Sequence, residues 1–336
     1  MICLVIDIIT PSHSVGASKL TEAGLYNEIL LIHVGGPSGS NTNAMTQGFF
    51  EVWDHYSSRS TIYIEYREAD RYPGKENDDQ FVKRLAEKYA GKKFVTVVST
   101  QPGNTALAAR VREALDLQCP LVAVEFDMPG TSLLQYENQY TLLGSLQFDR
   151  TLTMAKTLQP NLRRVMVIAG KVWYDRLKLK EYTQAMLQGK LGNTELIFSP
   201  GDNIDETVRI ISSFTEEDAL IFVDPRADKQ GRRFNEKYWS TLLEQRSKAP
   251  AYSVLDTIQP NQGGYGEGGA FVGGAILEME SLGEELARLV VKILEGQAPN
   301  ERVTSFQNHK LIYDYNGLKR FGYLSQKLPD EAMSLR

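Results

Sequence analysis

Short apolar runs alternate with longer stretches of helical periodicity in the first half of the chain. The runs at 29–34, 61–66, 94–98 and 121–126 are rich in Val, Ile, Leu and aromatic residues, which predicts strands. Between them, apolar residues recur at helical spacing, as in the series Met45, Phe49, Val52, Trp53 and Tyr56, and again around 81–89 and 106–115. This order of elements predicts one complete Rossmann-like lobe.

The same alternation then starts again. Strands are predicted at 165–169, 195–198, 220–223 and 252–255, and helices at 175–187, 204–214 and 235–245. The strand runs are continuously apolar rather than alternating, so we expect sheets covered on both faces, mainly parallel, with right-handed crossovers. The predicted fold class is therefore α/β, with two Rossmann-like lobes.

The segments outside the two series predict how the lobes are joined. The run at 140–148 reads as one more strand and a connector, and seven glycines between Gly263 and Gly274 predict a flexible loop leading into a hinge strand. An amphipathic helix around 282–293 and strands at 302–306 and 310–313 follow. We expect the chain to return to the first lobe and cross over again, which makes a multi-strand hinge.

These observations set the expected domain limits. The leader, 1–27, need not be ordered; the first lobe takes 28–146 plus 275–305, and the second takes 147–274 plus 306–330.

Composition narrows the possible partners. The 336 residues carry a net charge of −5 with basic residues spread among acidic ones, so nucleic acid is not an expected partner. No run approaches the length of about 18–20 apolar residues that spans a bilayer, so we expect no direct membrane insertion. The apolar start of the chain is short and contains Asp7, which is a weak signal-peptide pattern. Cys3 and Cys119 give little support to a disulfide, and no zinc pattern occurs.

Polar residues that follow strands of the first lobe are candidate ligand contacts, because ligands of such sheets bind beyond the carboxyl ends of the strands. Gly36, Ser38 and Ser40 follow the first strand, where a tight turn and an ordinary helix cap are the alternative. The abrupt polar series Ser99, Thr100 and Gln101 favours ligand contact. Asp127 follows the fourth strand, although the Pro-Gly after it indicates a turn.

The second lobe offers Trp173 and Tyr174, then Asp224 and Arg226, then Asp256. An aromatic pair in a cleft supplies stacking area at low entropic cost. Asp224 and Arg226 either pair with each other and shape their loop, or grip a zwitterion or carboxylate. An aromatic or otherwise planar, amino-acid-like solute fits these side chains.

Enzyme signatures such as G-x-S-x-G, a Walker A loop and H-E-x-x-H do not occur, so we expect no catalytic residue, no metal and no cofactor. His33 lies inside the first strand and is interpreted as a core residue. One alternative stays open: a nucleotide-sugar-type α/β enzyme would use Asp127, Asp224 or Asp256 as its base. A module that has lost its ligand and only mediates protein contacts is another.

Several segments resemble the ABC-transporter substrate-binding-protein-like family, which has the type 1 periplasmic binding protein fold. They are Ile29 to His33 with the Gly/Pro/Ser loop, Gln47-Gly48-Phe49, 88–94, 224–231, 254–257, 313–322 and 328–329. The closing Leu-Lys-Arg-Phe-Gly at 318–322 also resembles extracytoplasmic sensing regions of membrane histidine kinases and diguanylate cyclases.

The resemblance implies two lobes that close on a small solute in the periplasm or another extracytoplasmic space. In a transport system the closed lobes dock on a membrane permease, whereas in a sensor their motion is relayed to an output domain. The residues alone do not distinguish the transport protein from the sensor.

Overall fold

The computed structural model describes residues 27–37, 39–56, 60–69, 71–128, 133–175, 177–256, 268–307, 309–326, 328 and 333–335. Ser38, one of the predicted ligand contacts, lies outside this range, and so do residues 1–26 of the expected leader.

Strands and helices alternate from the first described residue onward. The first series comprises β1 (Asn27–His33), α1 (Ser40–Tyr56), β2 (Ser60–Tyr66), α2 (Lys75–Lys88), β3 (Thr96–Ser99), α3 (Thr105–Ala114), β4 (Leu121–Phe126) and β5 (Gln139–Gly144). The second comprises α4 (Phe148–Leu158), β6 (Arg164–Ala169), α5 (Lys171–Asp175), α6 (Leu179–Leu187), β7 (Glu195–Phe198), α7 (Ile204–Ser212), β8 (Asp218–Val223), α8 (Glu236–Arg246), β9 (Ala251–Ser253) and β10 (Phe271–Leu277). The last elements are α9 (Met279–Leu294), β11 (Val303–Ser305), β12 (His309–Asp314), α10 (Tyr315–Arg320) and β13 (Met333–Leu335).

The strands form two sheets, each the centre of one lobe. The first sheet has six strands in the order β11-β5-β4-β3-β1-β2, all paired in parallel. The second has seven in the order β13-β12-β10-β9-β8-β6-β7, with one antiparallel pairing, between β10 and β12. The predicted fold class, two Rossmann-like α/β lobes with mainly parallel sheets, is confirmed.

Strand β1 shows why the apolar runs are continuous. Ile29 and Leu31 pack with α1 residues in one buried cluster, whereas Leu30 and Ile32 pack with α2 and α3 residues in another. All four side chains are fully buried. A strand covered by helices on both faces has no solvent side, so both sets of alternating positions are apolar.

Three passages of the chain join the lobes: from β5 to α4, from β10 to α9, and from β11 to β12. The predicted multi-strand hinge is therefore present. The second passage follows Leu277, a little beyond the boundary expected at residue 275. At the first passage, the Tyr182 hydroxyl donates to the Leu146 carbonyl and accepts from its N–H, both at 3.1 Å. His309 Nε2 lies 2.9 Å from the Ser145 carbonyl oxygen, which ties the first passage to the third.

Helices α1 and α9 meet in the first lobe with their backbones almost in contact. A Cβ atom on Gly48 would lie 1.9 Å from the Glu280 carbonyl oxygen, and one on Gly283 would lie 2.2 Å from that of Met45. Each helix thus places a glycine against the other's backbone, which brings the start of α9 beside the middle of α1.

Two local predictions need correction. The helix predicted at 175–187 is two helices, α5 and α6, because Lys178 adopts a left-handed φ of 53° between them. Gly273 and Gly274 belong to strand β10 rather than to a loop. A Cβ on Gly274 would lie 1.8 Å from the Ser253 carbonyl oxygen, so close strand packing explains that glycine. Residues 257–267 of the glycine-rich segment lie outside the described range.

Within the part of the chain that the structure describes, no helix combines the length and apolar character needed to cross a membrane.

Candidate functional site

The candidate site lies where the carboxyl edges of the two sheets face each other. Two contacts join these edges directly, one polar and one aromatic. In parallel α/β sheets this edge also collects the helix N-termini, whose free N–H groups favour polar ligands.

The polar contact connects the start of α1 with the start of α8. The Ser40 hydroxyl donates to Glu236 Oε1 at 2.6 Å and accepts from Arg226 Nη2 at 3.4 Å. Arg226 in turn pairs with Glu236 and, through Nε at 2.6 Å, with Asp224. We call these four residues, Ser40, Asp224, Arg226 and Glu236, the rim cluster.

Two carboxylates share one guanidinium in the rim cluster. Burial alone would lower the pKa of Arg226, but Asp224 and Glu236 outweigh it and raise that pKa. Burial likewise raises the pKa of Glu236, yet Arg226 and the Ser40 hydroxyl bring it below its usual value. Asp224 holds a left-handed φ of 46°, a strained conformation for a residue with a side chain. Asp224 and Arg226 therefore pair with each other, as in the first of the two interpretations of their sequence.

The aromatic contact connects β4 of the first lobe with α5 of the second. The rings of Phe126 and Trp173 are stacked, with centroids 6.1 Å apart and planes 17° from parallel. Tyr174 points elsewhere: its hydroxyl lies 2.9 Å from both the Val167 carbonyl oxygen and Ser199 Oγ. Burial raises the pKa of Tyr174 to about 12. The predicted aromatic pair thus divides into one residue between the lobes and one in the core of the second lobe.

The polar series after β3 turns inward. Gln101 Oε1 accepts from the N–H groups of Val34 and Gly35 at 2.9 and 3.0 Å, and its amide donates to Thr42. Gln101 therefore shapes the loop between β1 and α1. Thr100 and Ser99 are fully buried, and Thr100 Oγ1 lies 2.7 Å from Nδ1 of His33.

His33 is a buried core residue, as its position in the strand predicted. The Thr46 hydroxyl donates to the Thr42 carbonyl, so it accepts from His33 Nε2, and the Thr100 hydroxyl donates to Nδ1. The neutral ring satisfies both contacts. Burial lowers the pKa of His33 to about 4.

Gly36, Asp127 and Asp256 also lie at this edge. Gly36 lies beside Glu68, since a Cβ on this glycine would be 3.5 Å from Glu68 Cγ. Asp127 is exposed directly after β4. Asp256 follows β9 and is buried, with 4% of its surface exposed. Burial first, and the charges of Glu278 and Glu280 next, raise its pKa to about 7.

Several buried polar atoms at these strand ends have no hydrogen-bond partner within the described residues. They are Asn41 Oδ1, Ser99 Oγ, Asn104 Nδ2 and Asp256 Oδ1. Buried polar groups are paired in most proteins, so such atoms mark places where another molecule can bind.

Phe126, Glu236 and Asn104 were not predicted from the sequence. Glu236 lies in the first turn of α8, and Asn104 occupies the N-cap position of α3. Both are polar residues at the start of a helix that follows a strand, and this pattern could have identified them. Phe126 is the last residue of β4 and, as an apolar residue, carries no such signal.

Among the described residues, no group of three or more His, Cys, Asp or Glu side chains is arranged to hold a metal ion. A groove of about 580 Å³ lies on the second lobe between α7 and α8.

Solved structures with the same two-lobed fold were found by comparison, whereas no family model and no curated protein matches the chain. An ABC domain in complex with L-Trp from Streptococcus pneumonia has a TM-score of 0.62 and 15% identity, with 92% of this chain and 100% of that one covered. The ligand-free, open structure of a substrate-binding protein with adhesive properties from Clostridium difficile has a TM-score of 0.58 and 14% identity, covering 92% and 99%. A glucose-galactose binding protein from Geobacillus stearothermophilus has a TM-score of 0.56 and 13% identity, covering 86% and 97%. The chain therefore has the type 1 periplasmic binding protein fold.

Proposed function

We propose that this protein binds a small solute between its two lobes, outside the cytoplasm, as the substrate-binding component of an ABC transporter. The observation that carries the proposal is the direct apposition of the two sheet edges, through Ser40 with Glu236 and through Phe126 with Trp173. Contacts of this kind exist when the lobes are closed and are lost when they separate. A solute that contacts both edges therefore favours the closed state by its differential affinity.

Three further features support a binding role. The lobes are joined by three chain passages, which suits a hinge motion. Unpaired buried polar atoms lie at the carboxyl ends of strands in both lobes. The proteins of similar fold include one in complex with L-Trp and others described as sugar-binding.

Ligand screening by thermal shift tests the proposal. Amino acids, amines, sugars and purines are titrated into the full chain, and a cognate solute should raise the unfolding temperature through mass action. Small-angle scattering on the same samples should show a smaller radius of gyration with the solute. If no class of compound shifts the transition and the radius stays constant, a solute-binding role is excluded.

Substitution of Trp173 locates the site. Trp173→Ala removes the stacked contact with Phe126, so we expect at least a tenfold loss of solute affinity with a small change in the stability of the ligand-free protein. Tyr315→Ala is the matched control, because Tyr315 is an aromatic residue that is 42% exposed at the start of α10. Strand β12 precedes α10 and runs antiparallel to β10, so Tyr315 follows the opposite edge of the sheet from the cleft. Equal losses of affinity and stability in Trp173→Ala would assign Trp173 to the core instead.

A further inference from the structure

The buried carboxylate of Asp256 accepts a hydrogen bond from the backbone N–H of Met279, which is less than a buried charge requires. Its Oδ1 atom contacts no hydrogen-bond donor in the described part of the chain, and only 4% of the residue's surface is exposed to water. Asp256 follows β9 at the same sheet edge as Asp224, which follows the neighbouring strand β8. A buried ionised carboxylate is strongly disfavoured unless a cation or several donors face it.

The charged groups around Asp256 are mostly of its own sign. Glu278 and Glu280 face it from the passage into α9, and Lys310 faces it from β12. Lys310 Nζ lies 2.6 Å from Glu278, so its charge is shared with that carboxylate. Glu280 accepts from Gln47 of α1 at 3.1 Å and lies near Glu51. The hinge side of the cleft therefore carries an excess of negative charge.

The guanidinium in the rim cluster does not offset this excess. Arg226 is held between Asp224 and Glu236, so the rim cluster itself has one carboxylate more than it has cations. A carboxylate of a solute would meet repulsion from both partners of Arg226. A positively charged solute is attracted to both parts of the cleft.

We propose that the bound solute presents an ammonium group to Asp256. The ammonium N–H donates to Oδ1, which supplies the missing donor and the opposite charge in a single charge-assisted hydrogen bond. This inference rests on the solute-binding function proposed above and adds the charge class of the solute.

The protonation state of Asp256 makes the affinity for the solute depend on pH. The pKa of Asp256 is raised to about 7, first by burial and then by Glu278 and Glu280. An ammonium binds the ionised carboxylate, so binding near neutral pH releases a proton. Below pH 7, affinity should fall by up to about tenfold per pH unit. Simple amines keep their charge over this range, because their own pKa lies near 10.

Calorimetric titration of the full chain with pairs of compounds tests the assignment. Each pair consists of an amine and its N-acetyl derivative: phenethylamine, L-phenylalanine, L-leucine and putrescine with their acetylated forms. Phenylacetate, glucose, magnesium chloride and calcium chloride complete the panel. We expect the tightest ligand to be an amine, acetylation to weaken it at least a hundredfold, and its affinity to fall from pH 8 to pH 6.

Asp256→Asn separates ligand recognition from folding. The variant should bind the amine at least tenfold more weakly and lose the pH dependence. Its unfolding temperature without ligand at pH 8 should rise by about 2 °C, because a buried charge with one unsatisfied oxygen is removed. Asp116→Asn is the matched control: Asp116 is exposed between α3 and β4, at the amino edge of the first sheet and therefore opposite the cleft.

Each contrary result overturns a defined claim. A tightest ligand that is neutral, anionic or a divalent metal ion overturns the ammonium assignment and leaves solute binding intact. Unchanged amine affinity in Asp256→Asn does the same, as does a lower unfolding temperature of that variant without ligand. If no compound binds and the lobes do not close, both the inference and the proposed function fail.

Discussion

At the scale of single residues, the structure separates polar side chains that serve the fold from those that remain available. Gln101 satisfies two loop N–H groups and Thr42, so its amide is fully used inside the first lobe. Those N–H groups lie more than 60 positions away in sequence. The sequence shows that a polar residue follows a strand, but the distant partner that occupies it becomes visible only in the fold.

His33 predicts a loss of stability in acid. Its pKa is about 4 in the folded protein against 6.5 when exposed, so the folded state resists protonation. The stabilisation is complete above pH 6.5 and is lost as the pH falls toward 4, by about 3 kcal/mol in total. His33→Gln should remove this part of the pH dependence of the free energy of unfolding, measured by urea titration at several pH values. His55→Gln, at the exposed end of α1, should keep it; identical pH curves for wild type and His33→Gln would contradict the assignment.

At the scale of elements, continuous apolar runs predicted the strands well and glycines predicted less well. The predicted strands at 121–126 and 195–198 agree with β4 and β7 residue for residue. Gly273 and Gly274 look like loop residues in sequence, yet they allow β10 to pass close to Ile312 and Ser253. A run of glycines indicates only that side chains are absent. Whether the glycines form a turn or allow two strands to pack closely depends on which segment lies next to them in the fold.

Helices α1 and α9 offer a test of such a contact. Gly283→Ala would place a Cβ 2.2 Å from the Met45 carbonyl oxygen, so the helices must move apart, at a cost of about 2–3 kcal/mol. Gly296→Ala, just past the end of α9, meets no atom within 4 Å but has a φ of 73°, so it should cost about 1 kcal/mol. Chemical denaturation measures both, and a smaller loss for Gly283→Ala than for Gly296→Ala would show that the helices have room.

At the scale of the whole molecule, the rim cluster connects lobes that the hinge leaves free to separate. Ser40→Ala removes the hydroxyl between Glu236 and Arg226 but leaves their ion pair intact within the second lobe. We expect the ligand-free protein to have a larger radius of gyration in scattering and about tenfold weaker solute affinity. Ser212→Ala, on α7 with its hydroxyl bonded to its own helix, is the control. Equal radii and affinities for the two variants would remove Ser40 from the closing contact.

The overall architecture was predictable because it depends on pattern, whereas the contacts between lobes were not. Alternating strand and helix signals in two series imply two lobes, and the leftover segments after the second series imply a return to the first. The pairing of Ser40 with Glu236 joins residues 196 positions apart through the exact relative placement of two helix starts. Neither residue type nor spacing encodes that placement locally.

The return of the chain to its first lobe affects the order in which the protein can fold during synthesis. Helix α9 and strand β11, which complete the first lobe, emerge from the ribosome after every strand from β6 to β10. Until then the apolar face of α1 with Met45 and Phe49 is not covered by α9. The first lobe, although its synthesis begins first, should therefore complete its folding late. Nascent chains arrested before residue 279 should therefore be cleaved by protease in the first lobe, and chains arrested after release of β11 should resist.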